Sequence, residues 1–112
     1  MNINFEDSKL EKICNDDKLL VKTYGKVNAK KIKQRLDDLK AATKLEVVRN
    51  LPGKYHDLYE NRKGQIAVHI EEPYRLIFKP NHAPLLLTQN GNPNWELITS
   101  ITVIEIVNYH GK

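Results

Sequence analysis

The groups able to move a proton or hold a phosphate gather in the second half of this chain. All four histidines, His56, His69, His82 and His110, fall after residue 50, in company with Lys54, Arg62, Lys63, Arg75, Lys79 and Tyr109. Histidine ordinarily titrates near neutrality and so serves as base or acid, while lysine and arginine supply fixed positive charge. No two histidines stand at i, i+3 or i+4, and neither an HExxH nor a CxxC run occurs, so a zinc site is not expected. Phosphate-loop and dinucleotide signatures are also missing, the five glycines being scattered at turns. Neither metal nor organic cofactor is therefore expected.

A cleft that collects two or three cations and an imidazole suits a phosphodiester. Cutting RNA without a metal needs a base for the 2′-hydroxyl proton and an acid for the 5′-oxygen. It also needs cations to hold the pentacoordinate phosphorane. Each positioned acid or base is worth about 10²–10⁴ in rate, and preorganised charge is often the larger contribution. Taken singly, each of these residues has a plain alternative: an ion pair, or a solvated surface position.

The elements that must position them follow from periodicity. Ile3 to Phe5 alternates as a short first strand. Ser8 with Glu11 reads as a capping box, and Leu10, Ile13, Cys14, Leu20, Val21 and Tyr24 follow at helical spacing up to Gly25. A second helix is expected over about 27–42, with Ala29, Ile32, Leu36 and Leu39 on one face and Lys30, Lys31, Lys33, Asp37 and Asp38 on the wet one. Thr43 with Glu46 repeats the capping pattern before a short helix that ends at the Pro52-Gly53 turn. Beyond Gly53 the period changes to two: residues 55–59, then 66–70, then 74–78. On the last strand, 101–109, Asn108 and His110 share one face and Tyr109 shares the other with Val107. The connection 80–100 is long for a compact domain, and is expected to be a lid, a partner-binding loop or a mobile excursion. Helices first and strands afterwards predict an α+β fold, with a helical hairpin on one face of a small, mainly antiparallel sheet.

With 112 residues the chain has room for one domain over 1–112. Net charge is +4, and all of the excess lies in residues 1–49, which carry 12 Lys/Arg against 8 Asp/Glu. That half reads as a basic platform for an anionic partner. Cys14 falls at a buried helix position, where it behaves as a small hydrophobe. No apolar run is long enough for a membrane, no signal-peptide core is visible, and one cysteine allows no internal disulfide. A cytoplasmic protein without membrane contact is the expectation.

Several segments in order resemble a known family. These are Leu51-Pro52-Gly53, Tyr55-His56-Asp57-Leu58, Arg62-Lys63-Gly64-Gln65, Tyr74-Arg75-Leu76-Ile77-Phe78 and Glu105-Ile106-Val107-Asn108-Tyr109-His110. Together they resemble the HigB-type plasmid maintenance killer proteins of the RelE/ParE superfamily, the toxins of type II toxin–antitoxin pairs. The likeness covers residues 51–110; the first half is similar only in length and helical character. The resemblance implies a microbial RNase fold and cleavage of mRNA on the translating ribosome. It also implies a cognate antitoxin carrying a helix-turn-helix domain, through which the chain would oligomerise. Carried onto this sequence, His110 would be acid or base and Arg75 would stabilise phosphate charge. Tyr109 would orient the sugar or stack on a base, and His56 would assist proton transfer. Lys54, Arg62, Lys63 and Lys79 would hold the RNA backbone. Two positions depart from the family pattern. Asn108 stands where Asp is usual, and Ile66-Ala67 where a tryptophan often follows the turn. The loop bearing Trp95 is a further difference, expected to meet antitoxin or ribosome. The competing expectations are a gyrase-binding, ParE-like toxin without RNase activity, which would not depend on His110, and an inactive antitoxin-binding homologue.

Overall fold

The computed structural model of the chain describes residues 1–108. Its elements run β1 (Asn2–Phe5), α1 (Ser8–Cys14), α2 (Asp17–Tyr24), α3 (Lys26–Ala41), a 3₁₀ helix (Leu45–Asn50), β2 (His56–Asp57), a 3₁₀ turn (Glu60–Arg62), β3 (Ile66–His69), β4 (Tyr74–Pro80) and β5 (Ser100–Asn108). The strands form one sheet in the order β1-β5-β4-β3-β2. β1 lies parallel to β5, and the other neighbours are antiparallel. The α+β architecture read from the sequence is present, with the helices on one face.

Apolar alternation selects that face. Ile66 and Val68 of β3, Leu76 and Phe78 of β4, and Val103 of β5 share a core with Leu10, Leu20, Ile32, Leu36 and Leu39 of the helices. Burial of each such side chain contributes about 1.5–3 kcal/mol. A bulge then re-phases β5. Ile77 opposes Glu105 while Phe78 opposes Val103, so Ile104 is the extra residue. In consequence Ile106 packs on the core, and Glu105 and Val107 fall on the opposite, open face.

Several local expectations are corrected. The helical run up to Tyr24 is two helices, because Asp16 adopts an extended backbone and its carboxylate accepts from the Leu19 amide at 3.1 Å, starting α2 afresh. The first cap is Asp7 rather than Ser8, its Oδ1 accepting from Lys9 N at 2.8 Å. Thr43 caps nothing: the 3₁₀ helix begins after Lys44 without a side-chain cap. Gly25 does close α2 and opens α3, at a φ of 89° that suits glycine. The strand expected over 55–59 shrinks to His56–Asp57. Cys14 is buried, and burial pushes its thiol up to about 11, leaving it inert near neutral pH.

Residues 81–99 are fastened to the body. Asn81 N donates to Ser100 O, and His82 Nε2 accepts from Thr99 N at 3.1 Å, which gives His82 a structural role. Trp95, expected at a partner surface, is instead 3% exposed. Its indole N–H donates to Asp57 Oδ1 at 2.9 Å, and the Arg49 guanidinium lies 4.0 Å from its ring centroid. The apolar ring leaves water while its one donor and its π face both find partners. Among the described residues no helix is long and apolar enough to cross a membrane.

Candidate active site

Strand pairing brings the chemistry together on the open face of the sheet. His69 at the end of β3 stands directly opposite Arg75 in β4, and Arg75 stands opposite Val107 in β5. His56 in β2 pairs with Ala67, which makes it the diagonal neighbour of His69. Their rings meet edge to face with centroids 5.8 Å apart. His56, His69, Arg75 and Val107 therefore form a row across four strands.

Each member of the row is held. His56 Nδ1 lies 2.7 Å from Lys54 O. A carbonyl only accepts, so Nδ1 carries the proton in the neutral ring and Nε2 keeps its lone pair. Arg75 is 13% exposed at its side chain; Nη1 donates to Tyr74 O at 2.9 Å and Nη2 to Glu72 Oε1 at 3.1 Å. The other oxygen of Glu72 lies 3.4 Å from His69 Nδ1. The Arg75 hydrogen bond holds the Glu72 carboxyl below the usual range. Burial and the Arg75 charge lower the pKa of His69, against a smaller upward pull from Glu72. His69 is thus a neutral imidazole at physiological pH.

The turn entering β2 is braced from the helical side. Arg35 of α3, 7% exposed, donates from Nε to His69 O at 2.9 Å. His69 N in turn donates to Gly53 O at 2.7 Å. Gly53 has φ 121° and admits no Cβ, which would lie 2.5 Å from Val68 Cγ2 and 2.8 Å from Arg35 Nε. Lys54 follows with φ 54°, a conformation that costs a non-glycine residue about 1–3 kcal/mol and recurs at functional sites.

Of the residues predicted from sequence, the structure unites His56, Arg75 and Lys54, whose charge also bears on His69. Arg62 sits nearby but is engaged, with Nη2 2.6 Å from Glu105 and Nη1 2.8 Å from Gln65. Lys63 and Lys79 stand apart, lining a pocket of about 330 Å³ with Leu85, Leu87 and Pro93, and Lys79 pairs with Glu6 at 2.8 Å. The four cations expected to hold RNA are therefore divided between two places. Tyr109 and His110 lie outside the described residues. Sequence reasoning missed His69 and Glu72; the only signal was that His69 shares strand parity with Ala67, away from the apolar Val68 and Ile70. It also missed Tyr59, 60% exposed, beside a groove of about 630 Å³ that meets the row at Val107. Such a ring can stack on a base.

No protein-family model matches the chain, and no curated protein matches it. Among solved structures it resembles a chain of the YoeB–YefM complex from Staphylococcus aureus, with a TM-score of 0.58 over 98% of this chain and 97% of that one, at 19% identity. At that identity the likeness is one of fold.

Proposed function

We propose that this chain is the toxin of a type II toxin–antitoxin pair, of the HigB kind within the RelE/ParE superfamily, and that it is a metal-independent, ribosome-dependent mRNA endoribonuclease. The observation that carries the reading is the imidazole of His56 and the guanidinium of Arg75 gathered on the open face of the sheet, in the ordered motif frame of residues 51–110. The fold shared with a chain of the YoeB–YefM complex supports it. That neighbour is a complex of two proteins, which favours a protein antitoxin as partner here.

Arg75, hydrogen-bonded to Glu72, neutralises the non-bridging oxygens as charge grows on the phosphorane. The proton of the 2′-hydroxyl passes to a neutral imidazole while its oxygen bonds to phosphorus. The P–O5′ bond then breaks, and an imidazolium returns a proton to O5′. His110 is acid or base in these steps, His56 assists the proton transfer, and Tyr109 orients the sugar. Lys54 and Arg62 hold the backbone close to the cut, Arg62 exchanging Glu105 for phosphate; Lys63 and Lys79 meet RNA further along the sheet. The products are a 2′,3′-cyclic phosphate and a 5′-hydroxyl. Excess positive charge on the helical half docks on ribosomal RNA, a contact that weakens with salt.

The test adds the purified chain to cell-free translation and maps mRNA 5′ ends by primer extension. New ends inside the reading frame are expected for wild type alone, and absent for His110→Ala and Arg75→Ala. Free RNA in EDTA serves as the side control. Intact message with wild type would sink the nuclease reading and direct attention to gyrase supercoiling. Equal cutting by all three proteins would place the chemistry elsewhere.

A further inference from the structure

His69 stands at the centre of the row, and nothing in the motif frame accounts for it. Its side chain is 24% exposed, on the open face rather than in the core. Four neighbours surround the ring. Arg75 lies directly across β4, His56 diagonally in β2, Glu72 in the turn between β3 and β4, and Lys54 in the turn before β2. The carboxylate of Glu72, 3.4 Å from Nδ1, can only accept and so favours a proton there, with the lone pair on Nε2. The backbone at this position is clamped on both sides, the amide by Gly53 O and the carbonyl by Arg35. A carboxylate–imidazole pair on a rigid strand, beside a guanidinium, is the arrangement general acid–base catalysis requires.

We infer that His69 is a further catalytic imidazole of this site, the base that takes the 2′-hydroxyl proton beside the phosphate-holding Arg75, an inference that rests on the endoribonuclease reading above. In this step the lone pair of Nε2 accepts the proton as the 2′-oxygen bonds to phosphorus. The P–O5′ bond breaks with its electron pair going to O5′, which is protonated by an imidazolium of the site, His56 or His110. The ring left protonated on His69 is met by the Glu72 carboxylate and loses its proton to water after product leaves. Burial first, then Arg75, with smaller effects of His56 and Lys54, disfavours the imidazolium in the resting protein, and Glu72 favours it. The ring is therefore a base at working pH and not an acid. Glu72 is a positioning residue, acting through His69 and Arg75.

The test measures single-turnover cleavage of ribosome-engaged message from pH 5 to 9 with wild type, His69→Gln and Glu72→Gln, together with each protein's melting temperature. His69→Gln is expected to lose about 10²–10⁴ in rate and the acidic limb of the profile, with melting within a few degrees of wild type at pH 8. Glu72→Gln keeps an acceptor for Arg75 but removes the charge that favours the imidazolium, so its acidic limb moves to lower pH. A His69→Gln protein within threefold of wild type, with the same acidic limb, overturns the inference and leaves the nuclease reading standing. So does a Glu72→Gln profile with its limb unmoved, even where His69→Gln is inactive or unfolded. No cleavage by wild type defeats the nuclease reading and this inference with it.

Discussion

Replacing Gly53 by alanine is expected to damage the site from beneath. The glycine sits at φ 121°, outside the region an L-residue occupies comfortably, and its substitution stores about 1–3 kcal/mol of backbone strain. The new methyl would also lie 2.5 Å from Val68 Cγ2, 2.8 Å from Arg35 Nε and 3.3 Å from Arg35 Cδ, well inside the roughly 3.5–4.0 Å at which carbon atoms rest. Neither neighbour can withdraw cheaply. Val68 is fully buried, and Arg35 is tied to His69 O. Overpacking of this kind costs about 1–3 kcal/mol more. The total, about 2–6 kcal/mol, is a large part of the stability of a domain this size and lowers Tm by about 8–24 °C. Gly64→Ala is the internal control: φ is 92°, but nothing lies within 4 Å of the added carbon, so strain acts there alone. Thermal melts of both variants by circular dichroism check the argument. A Gly53→Ala Tm within about 3 °C of wild type, or equal losses for the two glycines, would refute the claim that close approach of Arg35 and Val68 sets this turn.

Two further outcomes follow from the same structure. Because the pKa of His69 is lowered in the folded state, the unfolded chain binds the extra proton first, so His69 costs stability as pH falls below its ordinary range near 6.5. Urea unfolding from pH 7.5 to 5 should show this loss in wild type and a smaller one in His69→Gln; parallel curves would contradict it. Trp95→Phe removes the indole donor to Asp57 and weakens the Arg49 contact. It is expected to cost about 1–3 kcal/mol without abolishing cleavage, measured by the same melts and by primer extension; an unchanged Tm would show that the strap 81–99 is not fastened there.

Much of the scaffold was legible because period and face coincide. The run 74–78 alternates so that Leu76 and Phe78 meet the helices, and Arg75 emerges opposite, as strand parity requires. Ala29, Ile32, Leu36 and Leu39 line α3 as their spacing predicts. Other features depend on contacts distant in sequence. The break after Cys14 arises because Asp16 competes for the backbone with a cap, a local choice the apolar period overrides on paper. Arg35 stands on the apolar stripe of α3, three residues after Ile32 and four before Leu39, which was a signal for a buried charge. Its partner, the carbonyl of His69, was not visible. Trp95 looked like an exposed ring because the surrounding Asn, Pro and Gly signal a loop, and Asp57 lies 38 residues away. The row of His56, His69 and Arg75 needed the register of three strands. Without it, His69 was one histidine among four.

In the proposed function, the open face of the sheet drives attack by the 2′-hydroxyl of a message held on the ribosome. The most direct measurement presents ribosomes with a message bearing a single 2′-deoxynucleotide on the 5′ side of the mapped cut, and compares it with the all-ribo message. Cleavage of the all-ribo message to a 2′,3′-cyclic phosphate and a 5′-hydroxyl is expected, and none at the deoxy position. Cutting at the deoxy position, or 5′-phosphate ends on the normal message, would contradict it.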